Sequence, residues 1–499
     1  MMKRFLILLL WVVGVGTAQA ETLVIGKRHA PLSWDPIDSY NLFWGAIASN
    51  MFDGLVLRTE TFELVPGLAE KWQMSDDGLH FRFELRRNVL FHNGERFDAE
   101  AVKFTFDRLL AEDNGLQRAL YDSIKQIKII DDYTVDFVLK RYDPSFLTKL
   151  SGYGGMIVPP DYIKKYGERH FDIYPVGTGP FKFVESKEDD FLLLKANPDY
   201  FAGVAKTDSL LFRFIADEEQ RVQAFLAGEL DILHDVPFAA ILRIQNANGM
   251  DIVAVPGFNV QTLQFNLDKK IMQDIRVRQA LNMAIDKQAL INILLKGHGR
   301  TVAGLQTEIM FGYAPTLAVY PYDVAQAKKL LQQAGVKAGE TININYRVSN
   351  HNIYEMARAV GVFLKALDLN VKLVPVIEQL HLRNGFVPTE QSDEIFQFGW
   401  NGWTMDYGDS AYLLYHSSQS WNPQIHSAKL DTLLDRQRNL KDKTERERLL
   451  QEIAAFLHQQ AYYIPLFNED SIYAVSDNVK NFIPAPDRRM RYFETEIRR

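Results

Sequence analysis

The sequence predicts an α/β protein of more than one lobe, on three observations. The chain has 499 residues, more than one hydrophobic core usually serves. Short segments of strict apolar–polar alternation recur in its first third, as half-buried strands do. From residue 341 a strand pattern, a helix pattern and a second strand pattern follow in order, the signature of a parallel α/β unit. Hydrophobic residues make up 47% and charged residues 24% of the chain, a globular balance and not that of a disordered or membrane-embedded protein.

The first twenty residues stand apart. Lys3 and Arg4 form a basic head, "FLILLLWVVGV" is an apolar run too short to cross a bilayer, and Ala18-Gln19-Ala20 has the small-x-small form of a cleavage site. This is the pattern of a secretory signal peptide over 1–20, removed before Glu21. No later run approaches the roughly 18 apolar residues of a spanning helix. With no cysteine in the chain, a disulfide framework and a lipid-modified cysteine are both excluded, and the expected location is a bacterial periplasm. The formal net charge is −7, and loss of Lys3 and Arg4 with the leader makes it more negative. An acidic protein of this kind is not expected to bind nucleic acid.

Along the chain, "TLVIGKR" reads as a strand. "LHFRFELR" alternates, with Phe81, Phe83 and Leu85 on one face and Arg82 and Glu84 on the other, after the turn Asp76-Asp77-Gly78. In "FDAEAVKFTFDRLL", Asp98 is placed to cap a helix whose Val102, Phe106, Leu109 and Leu110 recur at helical spacing. "DDYTVDFVLK" is a turn and another alternating strand, with Val135, Phe137 and Leu139 inward. Asp274 and Asp286 are placed to cap two consecutive helices that stop at Gly297, and a further helix closes at Gly335. "TININYRV", "NIYEMARAVGVFLKALD" and "VKLVPV" form the strand–helix–strand unit. "SDEIFQFGW" is a strand running into "GWNGWTMDYGDSAYLLYH", where aromatic and acidic side chains crowd together. Two helices follow, the second heavily charged as a solvated face would be. "YIPLFNEDSIYAVS" is an apolar segment able to return the chain to an earlier lobe.

Tests for catalysis find little. Gly177-Thr178-Gly179-Pro180 could pass for a phosphate loop, but it opens a strand, whereas a phosphate loop must open a helix. The eleven histidines are scattered and form no H-E-x-x-H, and no G-x-S-x-G elbow exists. Asp406 and Asp409 are a carboxylate pair three residues apart, which leaves an exported hydrolase as a remote alternative.

Longer segments carry a family likeness. "LSWDPIDSYN", "MFDGLVLRTE" with "ELVPGLAEKWQMSDDGLHFRFELRRNVLFHNGERFDAEAVKFTFDRLL", "VGTGPFKF" and "FNLDKKIMQDIRVRQALNMAIDKQALI" together resemble the bacterial extracellular solute-binding proteins of family 5, the peptide/nickel class that serves ABC importers. The chain is most similar to the dipeptide- and oligopeptide-binding members. The resemblance implies a two-lobed clamp that closes on ligand by hinge motion. It implies a discontinuous lobe I (21–49, 175–259 and 470–499), an extra inserted domain (50–174) and a continuous lobe II (260–469), with crossings near Val260 and Glu469. It also implies a monomer that is not an enzyme, needs no cofactor and hands short peptides to an inner-membrane ABC permease.

The resemblance further assigns residues. "GWTMDYGD" matches the family motif whose aspartate holds a peptide's α-ammonium, which places that role on Asp406. "NYRVSN" puts Arg347 where the dipeptide binders have an arginine for the peptide carboxylate. Asp409-Ser410 stands where the family often has D-P. Trp400, Trp403, Tyr407 and Tyr40 complete the expected ligand-binding set, as flat walls that hold side chains without reading them. The chemistry is coherent, because a buried zwitterion needs both of its charges answered and arginine can grip a carboxylate with two parallel bonds. Read without the resemblance, Asp406 has the pattern of a turn-capping aspartate, Arg347 that of a surface ion pair, and the tryptophans that of core residues. Asp406→Ala is expected to weaken peptide binding severely and leave folding nearly intact. A second reading keeps the fold and changes the cargo to a nickel or other metal chelate reached by His416. Opines, oligosaccharides and other solutes also stay open.

Overall fold

Two long antiparallel strands, Met250–Phe265 and Tyr463–Ser476, thread both halves of the protein. On one side of the crossing Tyr463–Pro465 pairs with Thr262–Gln264, beside the strand Ile395–Asn401. On the other, Ser471–Ser476 pairs with Met250–Val255, beside Ile232–Leu233. The ladder is interrupted between Pro256 and Val260. Proline has no N–H to donate there, and a Cβ on Gly257 would come within 2.4 Å of the Glu469 carbonyl oxygen. Val260 and Glu469 both fall in these strands. The computed structural model describes residues 21–499 except 32, 38–41, 112–117, 349–350, 377–391, 403, 420 and 423. The expected leader, Tyr40 and Trp403 lie outside the described residues.

The main sheet runs in the order Asn370–Val376, Thr341–Arg347, Ile395–Asn401, Met250–Phe265, Tyr463–Ser476, Ile232–Leu233, Thr22–Lys27, Ser209–Phe214, Phe191–Ala196 and Phe181–Lys187. Its two ends belong to different hydrophobic cores, one around Leu23, Trp44, Phe212 and Tyr492 and one around Leu281, Ile344, Val360 and Leu466. Thr341–Arg347 and Asn370–Val376 are parallel and joined by the helix His351–Lys365, as the strand–helix–strand pattern predicts. "YIPLFNEDSIYAVS" is one strand, apolar on both faces because both are covered. Its half-buried Glu469-Asp470 falls at the crossing.

A separate sheet takes the strands Ala69–Met74, His80–Leu85, Thr134–Leu139 and Ile124–Asp131 in that order. Phe81, Phe83 and Leu85 are buried while Arg82 and Glu84 are exposed, so the alternation reads correctly. The strand Thr134–Leu139 departs from it, since Val135 to Leu139 are all buried. It is flanked on both sides by partner strands, and its polar Asp136 lies 3.1 Å from the His80 ring nitrogen Nδ1. Asp98 caps the helix Ala99–Leu110 by accepting from the Glu100 and Ala101 N–H groups. The Gly177-Thr178-Gly179 turn packs on backbone, where a Cβ at Gly177 would sit 2.1 Å from the Met51 carbonyl oxygen, and it opens the strand Phe181–Lys187. Asp274 and Asp286 cap the helices Ile275–Met283 and Lys287–Leu294. Gly335 takes the positive φ of 77° that terminates a helix, while after the helix Lys287–Leu294 that position falls on Lys296, at φ 53°, one residue before Gly297.

Candidate ligand-binding cleft

The two halves enclose a cleft of about 860 Å³, within the ~300–1,000 Å³ range of small-ligand sites. The strand crossing forms its floor, through Gln261, Phe467 and Glu469. Glu218, Phe238 and Arg488 come from the half that contains the N-terminal strand, and Asp122 and Lys149 from the segment carrying the separate four-stranded sheet. The opposite half contributes Arg347, Trp400, Asp409 and Tyr412.

Arg347 is the last residue of Thr341–Arg347, at the carboxyl end of a parallel strand, where α/β sheets bind ligands. Its Nε donates to Gln397 Oε1 at 3.2 Å, and Gln397 Nε2 donates to Gln261 Oε1 at 3.0 Å. Gln397 is fully buried, so this chain of amides fixes the guanidinium relative to the crossing strands. Burial holds the Glu469 carboxyl above its ordinary value, with Arg488 and the Gln261 amide opposing. Trp400 donates its indole N–H to Ser410 Oγ at 2.9 Å. It stacks on Phe398 and meets Trp421 edge-on, with centroids 5.9 and 6.0 Å away. Arg347 and Trp400, both expected from the sequence to contact ligand, thus stand in one cleft.

Asp406 is placed differently. It is the N-cap of the helix Tyr407–Tyr415, with φ −118° and a side chain that accepts the Gly408 N–H at 2.8 Å. Both carboxylate oxygens also accept from the Arg446 guanidinium, each at 2.7 Å. Arg446 is anchored in turn on the Gln437 carbonyl and amide oxygens. Gly408 leaves room for the pair, since a Cβ there would meet Arg446 Nη2 at 2.5 Å. The carboxylate is 9% exposed and its guanidinium partner 5%. In this structure the carboxylate is engaged by Arg446 and is not among the cleft-lining residues, whereas the family likeness places a peptide ammonium on it. The physical reason is the cap itself, which turns the side chain back toward the helix N–H groups, where Arg446 meets it.

Tyr407 is likewise not among the cleft-lining residues. It is fully buried in the core with Tyr415 and Tyr463 and forms no wall of the cleft, because the first residue of the helix points inward. His416 stacks on Tyr412 with centroids 4.5 Å apart and lies 3.3 Å from Asp435. Among the described residues no group of three or more His, Asp or Glu side chains is placed to hold a metal ion.

Asp409, on the first turn of the same helix, does face the cleft. Its Oδ1 is 3.4 Å from Lys149 Nζ on the opposing side, while its Oδ2 is buried with no hydrogen-bond partner among the described residues. Lys149 is already held by both Asp143 oxygens, at 3.0 and 2.9 Å. Burial alone would raise the Asp143 carboxyl, but Lys149 and Ser123 outweigh it and hold it at about 2. Burial alone would lower the Lys149 ammonium, and the two carboxylates keep it above its ordinary value. Asp409 therefore lines the cleft with one oxygen near Lys149 and the other buried with unused acceptor capacity, close to a helix N-terminus that favours negative charge. Asp406 is buried against Arg446, while Asp409 lines the cleft. Sequence reasoning passed over Asp409 as an individual residue, and nothing in the sequence marked Lys149, Gln397 or Gln261.

Comparisons with known proteins show the family and the fold. Residues 63–424 match the family described as bacterial extracellular solute-binding proteins, family 5 middle. The chain belongs to that family. It is 28% identical over 505 residues to the dipeptide-binding protein of Escherichia coli, covering 94% of this chain and 93% of the relative. It is 27% identical over 494 residues to the glutathione-binding protein GsiB of Salmonella paratyphi A, covering 96% and 95%. It shares the fold of the ABC transporter-associated periplasmic binding protein DppA from Helicobacter pylori, solved with the peptide STSA. That match has a TM-score of 0.84 at 24% identity over 96% of this chain and 98% of the other. These relatives are binding proteins.

Proposed function

We propose that this protein captures short peptides in the cleft between its halves and delivers them to an ABC permease in the inner membrane, catalysing nothing itself. On this reading the leader sends it to the periplasm, where it works as a monomer and binds no nucleic acid. The family supports the class of function, and the dipeptide- and glutathione-binding relatives support the class of ligand. One observation carries the site assignment: Asp409, one of whose carboxylate oxygens is buried with no partner among the described residues, lines the same cleft as Arg347. A free peptide carries an ammonium and a carboxylate, and each buried charge needs an answer. Asp409 receives the ammonium, Arg347 takes the carboxylate, and Trp400 supplies a flat apolar wall.

Isothermal titration with di- and tripeptides of varied side chain tests this reading. Peptides with both termini free are expected to bind, and Arg347→Gln is expected to lose affinity for a free C-terminus but not for a C-terminal amide. No heat with any peptide, or equal losses for acid and amide, contradicts it.

A further inference from the structure

Arg438 is a cleft-lining cation that the peptide-binding scheme does not use. It sits in the last turn of the helix Ala428–Asn439, half-buried, and its guanidinium carbon lies 3.9 Å from the centre of the Tyr412 ring. Both residues line the cleft. The acids nearest to it in sequence are committed elsewhere, Asp435 to His416 at 3.3 Å and Asp442 to the Glu445 N–H it caps, at 2.7 Å. Two other cleft cations have carboxylate partners, Lys149 with Asp143 and Arg488 with Asp235. Among the described residues Arg438 has none. The stack on Tyr412 holds the planar fork in a fixed orientation, and a guanidinium so held recognises a carboxylate through two parallel bonds.

Helix geometry says which ligand carboxylate it meets. Asp409 and Tyr412 are three residues apart on the helix Tyr407–Tyr415, so they are neighbours on its surface, roughly 5–6 Å apart at Cβ. A ligand whose ammonium rests on Asp409 therefore brings the side chain of its first residue toward Tyr412 and the guanidinium above it. We infer that Arg438, poised on Tyr412, forms a subsite for an acidic first side chain, so that the cleft selects peptides beginning with glutamate or aspartate. This rests on the reading of Asp409 as the ammonium site.

The test is calorimetric titration of the full-length mature protein with Ala-Ala, Glu-Ala, Gln-Ala and Ala-Glu. Glu-Ala is expected to bind about tenfold or more tightly than Gln-Ala, a gap of about 1.4 kcal/mol, with no such advantage for Ala-Glu. In Arg438→Gln the gap closes while affinity for Ala-Ala is unchanged, and Arg438→Lys, which keeps the charge without the fork, retains part of it. Equal binding of Glu-Ala and Gln-Ala by the wild type overturns the inference, and so does a gap that survives Arg438→Gln. If the variant loses Ala-Ala to the same extent, Arg438 supports the fold instead of selecting ligand. If none of the four dipeptides binds the wild type, the ammonium site itself is wrong, and the inference falls with it.

Discussion

Asp406→Ala is expected to destabilise the folded protein by about 3–5 kcal/mol, because it strips one partner from a buried ion pair. What remains is the Arg446 guanidinium, 5% exposed, with its charge unanswered. The helix Tyr407–Tyr415 also loses the side chain that accepts the Gly408 N–H, a cap worth about 1 kcal/mol. Arg446→Met should cost a similar amount from the other side. Changing both residues together to apolar ones of similar volume should recover much of the loss, since a matched pair is often replaceable where half of one is not. Denaturant unfolding of the single variants and the double variant measures all three. A wild-type unfolding midpoint in Asp406→Ala, combined with lost peptide affinity, would show that this carboxylate works for the ligand and not for the fold.

Asp409→Asn is expected to do the reverse. Its side chain is 24% exposed and sits at 3.4 Å from a lysine that keeps two bonds to Asp143 without it, so the fold should tolerate the change. A charge-assisted hydrogen bond of about 1.5–3 kcal/mol to the peptide ammonium is lost, roughly a 10- to 150-fold weakening for a dipeptide with a free N-terminus. An N-acetylated dipeptide, which offers no ammonium, should bind weakly to both forms and show no further loss. Titration of the two ligands against wild type and variant separates the outcomes. Equal losses for free and acetylated peptide would show that Asp409 shapes the cleft without receiving a charge.

Much of this architecture is legible in the residues. Alternation at Phe81, Phe83 and Leu85 and caps at Asp98, Asp274 and Asp286 are local patterns with local causes, and each is found where expected. The centre of the separate four-stranded sheet was less legible. A strand flanked on both sides buries both faces, and a single strand's sequence does not say how many neighbours it has. The site shows the same limit more sharply. Asp406 and Asp409 look alike in "GWTMDYGDSAY", and what separates them is where the helix begins. The capping position turns its carboxylate back toward the helix N–H groups, while the residue three places on looks outward. The partner that completes Asp406 lies forty residues away, and Lys149 reaches Asp409 from the opposing half. Neither contact leaves a mark in the local sequence. The bare pattern at Asp406 suggested a cap and the family likeness suggested a ligand contact; the geometry is that of the cap.

The most direct test is a crystal structure of the mature protein with a bound dipeptide whose two ends are free. The account predicts the peptide ammonium within about 2.7–2.9 Å of Asp409 Oδ2, a charge-assisted distance, its carboxylate on Arg347, and Asp406 still gripped by Arg446. An ammonium seated on Asp406, with Arg446 displaced from that carboxylate, would contradict it.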